Sequence, residues 1–229
     1  MIFGKKNVKF KKGFTLAEVL ITLGIVGLIA AMTLPGLKAN FDKKSYVTAL
    51  NKVYSELSQA LTMYKTDNNS VDLKEAGFND TEALKTFVKT YFNVTQKCET
   101  NAVPCMAEKY TKMNRTASWE GKGSKNCYQL AEGATICPRK EDDGHIWFLV
   151  DVNGQKKPNI LGRDLFVMYV YDNGVIDDKL ASLTNYADNL PLSKTTREAL
   201  YKEGCLQAGA KNLHGCFGKI LNDNWQMTY

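Results

Sequence analysis

The side chains with the greatest capacity for chemistry in this sequence are six cysteines, two histidines and a small set of carboxylates. Cys98, Cys105, Cys127, Cys137, Cys205 and Cys216 are even in number, which suits disulfides in an oxidising compartment. The sequence does not fix their connectivity. Nearest neighbours, Cys98 with Cys105, Cys127 with Cys137 and Cys205 with Cys216, are preferred because each pair closes a short loop. Zinc ligation is disfavoured, since no CxxC pair occurs and His145 and His214 are the only histidines. Asp151, Asn153 and Asp164 supply oxygens that suit calcium, the one cofactor the sequence raises. The alternating acids of an EF-hand are missing, however, and turn-forming Asp and Asn that cap loop amides are the competing explanation. No nucleophile elbow, P-loop, HExxH or glycine-rich dinucleotide loop is present, so no enzyme activity is expected. His145, just before a strand, and His214, beside Gly215, read as structural or solvated.

One carboxylate stands apart from the rest. Glu18 opens a run from Val19 to Leu34 that is apolar apart from Thr22 and Thr33, whose hydroxyls can bond back to helix carbonyls. From Phe14 to Leu34 there are 21 residues, and a helix of that length rises ~30 Å, the hydrocarbon thickness of a bilayer. A carboxylate near lipid is costly and needs a partner. If Phe14 became a free amino terminus, its ammonium would be that partner, either within the same helix or on a neighbouring chain. Ahead of the run, Lys5, Lys6, Lys9, Lys11 and Lys12 form a basic flank that favours a cytoplasmic N-terminus. A secretory signal would place its small residue after the apolar core, whereas Gly13 lies before it.

The segment Gly13, Phe14, Thr15, Leu16, Ala17, Glu18, Val19, Leu20 resembles the class III signal of type IV pilins and type II secretion pseudopilins. The resemblance implies that a prepilin peptidase cuts after Gly13, removes the basic leader and methylates the amino group of Phe14, and that Glu18 takes part in assembly. In the family the glutamate is thought to meet the amine of a neighbouring subunit; the sequence does not choose between that and a local pair. Pro35, just after the run, also matches. Further on, Asp151, Asn153, Gly154, Pro158, Asn159, Gly162, Asp164 and Phe166 resemble a less specific pattern in the C-terminal sheets of pilin-like proteins, some of which bind calcium there.

The organisation expected is a basic leader over residues 1–13, a transmembrane and filament-core helix over 14–36, and an exported globular domain over 37–229. Five of the 30 Lys and Arg are leader lysines, which leaves 25 against 24 Asp and Glu, so the net charge of +6 is a targeting feature. The near-neutral remainder argues against nucleic-acid binding.

The elements that would position these residues give an α+β fold: a long N-terminal helix on a small antiparallel sheet. Pro35-Gly36 predicts a kink or local melting. Beyond it Val47, Leu50, Tyr54, Leu57, Leu61 and Tyr64 recur at helical spacing, and Asp67 to Ser70 stops the helix. Asp80 and Glu82 start a second helix with Ala83, Leu84, Phe87, Val88 and Tyr91 on one face. Residues between Cys98 and Trp119 read as an irregular loop. Cys127 to Cys137 reads as a hairpin around Glu132-Gly133, followed by strands from Ile146 to Val150 and from Leu165 to Tyr171. Thr195 to Leu206 reads as a short amphipathic helix and the tail near Cys216 as strand-like or irregular.

Together these features predict a structural subunit of a type IV filament-family assembly, in the inner membrane with a single pass and then in a periplasmic or surface filament. Its partners would be other pilin or pseudopilin subunits, prepilin peptidase, the inner-membrane assembly platform and, before assembly, membrane lipid. The alternative is a membrane-anchored binding module for a surface ligand or DNA that does not polymerise. Gly24, Gly27, Ala30 and Ala31 favour the first by allowing close approach of helix backbones.

Overall fold

A computed structural model describes residues 13–113, 118–180, 189–206 and 213–229. The leader lysines and residues 114–117 of the expected loop lie outside the described residues. The chain divides into two compact units, Met1–Asp42 and Lys43–Tyr229.

In the first unit, helix α1 (Leu16–Asp67) begins at Leu16. Its N-terminal part is exposed along its whole circumference: Leu20, Ile21, Leu23, Ile25, Val26, Leu28 and Ile29 all face outward. It is the one helix among the described residues long and apolar enough to cross a membrane. The local melting that was one expectation at Pro35-Gly36 does not occur, because Pro35 lies inside α1. A proline withholds a single donor, here the bond to the Ala31 carbonyl, and the turns on either side carry the helix through. Thr22 and Thr33 bond back as expected, to the Glu18 carbonyl at 2.9 Å and the Ile29 carbonyl at 2.9 Å.

In the second unit, α1 turns an apolar stripe inward. Val47, Leu50, Leu57 and Leu61 are buried, and Val53 and Ala60 join them to widen the stripe. The helix stops at Asp67, where Asn69 takes a left-handed conformation (φ 51°) and the Ser70 amide donates to the Lys65 carbonyl at 3.0 Å. Helix α2 (Thr81–Tyr91) starts on Asp80, whose side chain accepts from the Ala83 amide at 2.8 Å, and buries Leu84, Phe87 and Val88.

A six-stranded antiparallel sheet forms the body of this unit. Its strands are β1 (Val94–Cys98), β4 (Cys127–Leu130), β5 (Thr135–Lys140), β6 (Ile146–Asp151), β7 (Leu165–Val170) and β8 (Ile176–Asp177), in the order β1-β4-β5-β6-β7-β8. Strands β6 (IWFLVD) and β7 (LFVMYV) are rich in aromatic and β-branched residues and are buried on both faces, as central strands between two layers must be. Phe148 pairs with Met168 and Val150 with Phe166 across them. The hairpin from Cys127 turns at Gly133 and pairs Tyr128 with Ile136. A single hydrophobic cluster joins the inner stripe of α1, the α2 residues Leu84, Phe87 and Val88, and both central strands.

Two regions depart from the sequence reading. Within the stretch expected to be irregular, β2 (Lys109–Thr111) and β3 (Ser118–Glu120) form a separate two-stranded sheet, and β1 precedes it as an edge strand. These strands are short and largely exposed, so they lack the alternation that marks a half-buried strand. The tail is the second: α3 (Lys194–Leu200) and the π-helical turn it runs into (Tyr201–Cys205) form the expected amphipathic helix, but α4 (Cys216–Asn222) stands where a strand-like or irregular tail was expected. Its start depends on a distant residue. The buried Asp178 carboxylate accepts from the Gly215 and Gly218 amides, each at 2.8 Å, and so satisfies amides at the helix start that no local residue caps.

Candidate functional site

Of the expected processing and assembly residues, Gly13, Phe14 and Glu18 lie together at the start of α1, while Pro35 lies well inside that helix. Gly13 and Phe14 precede the first helical residue, Phe14 is 89% exposed, and a Cβ added at Gly13 would meet nothing within 4 Å. The bond between them therefore lies outside the helix and exposed. Glu18 folds back on the helix start, where its Oε2 accepts from the Thr15 amide at 2.8 Å and from the Thr15 hydroxyl at 2.9 Å. The Thr15 hydroxyl in turn accepts from the Glu18 amide at 3.2 Å. This is a capping box, in which two helix-end donors are satisfied reciprocally. Thr15 was missed by sequence reasoning, although the Thr-x-x-Glu spacing ahead of an apolar run is its signature. Gly24 and Gly27 also have open space where a side chain would stand.

All six cysteines are in disulfides. Cys98 is joined to Cys105, Cys127 to Cys137 across the β4–β5 hairpin, and Cys205 to Cys216 between the π-helical turn and α4. These are the nearest-neighbour pairs.

Asp151, Asn153 and Asp164 are gathered between the end of β6 and the start of β7. Asp151 is fully buried, accepts from the Tyr110 hydroxyl, and accepts from the Asn153 amide at 3.0 Å. Asp164 accepts from the Asn159 and Ile160 amides, each at 2.7 Å. Burial pushes both carboxyls above the usual range, against the pull of these hydrogen bonds. Each carboxylate oxygen thus already holds a donor of the chain itself. The set caps loop amides, the competing explanation that the sequence raised for these residues.

A family model described as the prokaryotic N-terminal methylation motif matches residues 8–34. Among curated proteins, the chain is similar to the type II secretion system core protein G of Aeromonas hydrophila, at 36% identity over 30% of this chain and 48% of that protein. The protein of the same name from Vibrio cholerae is 35% identical over 35% of this chain and 53% of that protein. The type IV wide pilus major component PilA4 of Thermus thermophilus is 35% identical over 33% of this chain and 61% of that protein. The chain spans about half the length of the curated relatives it matches. No solved structure matches it.

A long apolar N-terminal helix, carried into a head with an antiparallel sheet, makes this a pilin-like fold. The methylation motif at its start, and the type II secretion and type IV pilus proteins that its N-terminal third matches, make the chain similar to pilins and pseudopilins.

Proposed function

We propose that this chain is a filament subunit that is cut after Gly13, methylated on Phe14 and polymerised through the first half of α1. The observation that carries the reading is the apolar surface of that segment: its side chains are exposed on every side, with a processing motif at one end. Such a surface is stable in lipid before assembly and against identical helices afterwards, and Gly24, Gly27, Ala30 and Ala31 let those helices approach closely. In this reading the leader stays cytoplasmic, the helix crosses the inner membrane once, and the domain from residue 37 onward lies outside. The partners are then prepilin peptidase, the assembly platform and other subunits. Similarity to both type II secretion and type IV pilus proteins supports the shared step, polymerisation, rather than either system.

Processing would convert the capping box. Once Phe14 carries a free amino group, Glu18 has a cation available as well as Thr15, on its own chain or on the next. Glu18→Ala is therefore expected to leave membrane insertion intact while filaments recovered by shearing fall sharply. Normal filament yield and composition from that variant would remove the assembly role.

A further inference from the structure

The turn between β5 and β6 brings together three side chains that the filament function does not use. Glu141, Asp143 and His145 each offer a ligand atom, and these atoms all lie within 4.8 Å of one another. The His145 side chain is only 4% exposed. Its Nε2 lies 3.0 Å from the Leu180 carbonyl, which can only accept, so Nε2 carries a proton. In the neutral ring Nδ1 then bears a lone pair. That Nδ1 is 2.9 Å from Asp143 Oδ1, yet it is buried with no hydrogen-bond partner, so the ring does not point along the line to the oxygen. Two acceptors held that close repel unless a cation is shared between them.

We propose that Glu141, Asp143 and His145 form a binding site for a divalent transition-metal ion of the zinc type. Metal–ligand bonds of about 2.0–2.2 Å at tetrahedral angles set neighbouring ligand atoms about 3.3–3.5 Å apart. The Nδ1 to Oδ1 separation is close to this and needs only a small opening. One imidazole nitrogen with two carboxylates suits zinc and its neighbours better than calcium or magnesium, which take all-oxygen shells. The supporting contacts are those expected around such a site. Leu180 fixes the His145 tautomer, and Trp147 Nε1 donates to Glu141 Oε1 at 2.9 Å. Lys179 Nζ lies 3.3 Å from Glu141 Oε2 and holds the far side of that carboxylate. Asp143 is 53% exposed, which leaves an entry path and room for water to complete the shell. The ion would tie together the β5–β6 turn, from which all three ligands come.

The test uses the untagged full chain in detergent micelles, stripped with a chelator and titrated with zinc chloride by calorimetry and with cobalt chloride by visible absorption. The disulfides leave no thiol to compete. A single saturable zinc equivalent is expected, together with the visible bands of low-symmetry cobalt. Asp143→Asn, at an exposed position that leaves the fold intact, should weaken zinc binding by about tenfold or more. Trp147→Phe should weaken it by about tenfold, and His214→Gln should leave it unchanged. Absence of saturable binding, or binding insensitive to Asp143→Asn, would mean that His145 and Asp143 share only a proton and would overturn the proposal.

Discussion

Beneath the Tyr110 hydroxyl, Asp151 accepts from that hydroxyl and from the Asn153 amide while no part of it meets solvent. Burial drives its carboxyl well above the ordinary range, the neighbouring Asp164 pushes the same way, and the Tyr110 bond opposes them. In the unfolded chain the group titrates near about 3.9, so between that value and the folded one the native protein holds a proton that unfolding releases. Its contribution to stability therefore falls as pH rises and grows as pH falls. Asparagine imitates the protonated carboxyl and has no such dependence. The stability of the parent chain relative to Asp151→Asn is expected to decline from about pH 5 to about pH 8, read as the gap between urea midpoints in micelles. A gap that stays constant over that range would show that the loop holds the charge without penalty. Glu18 is the opposite case: exposed, and held by Thr15 at its own helix start.

At the scale of elements, the C-terminal half of the head depends on one backbone conformation. Gly215 begins α4 at φ +94°, and an added Cβ would stand 2.1 Å from the Leu200 carbonyl oxygen. The left-handed strain alone is roughly 1–2 kcal/mol, and the clash would force α4 away from the π-helical turn that the Cys205–Cys216 bond holds beside it. Gly215→Ala should lower the thermal unfolding midpoint by several degrees; an unchanged midpoint would contradict this account of how α4 is seated. The same region marks where sequence reasoning stopped. Helix α1, helix α2, the β4–β5 hairpin and strands β6 and β7 were legible because each has its own periodicity, cap or turn. Helix α4 was not, since its start is satisfied by Asp178, far away in the chain, and no local residue announces it. Strands β1 to β3 were missed because short exposed strands carry no alternation, and Thr15 was missed because the apolar run beyond it drew the reading to Glu18 alone. The carboxylate loop was legible as a cluster, but the direction of its oxygens, toward the chain's own amides, needed the fold.

At the scale of the whole molecule, the two units face different surroundings. The head carries its own core of aromatic and aliphatic side chains and three disulfides, which suits an oxidising compartment. The first part of α1 has no such core and leaves its apolar side chains uncovered. Under the proposed function, lipid covers this surface before assembly and other copies of the same helix cover it afterwards. The central claim is that this exchange follows cleavage after Gly13. The most direct measurement is intact mass with N-terminal sequencing of the unreduced chain from sheared surface filaments and from membranes. A chain that begins at methylated Phe14, lighter by the hydrogens of its disulfides and present in the filament fraction, is the predicted result. An uncut chain that begins at Met1 and stays in the membrane fraction would contradict it, and the protein would then be a membrane-anchored module that does not polymerise.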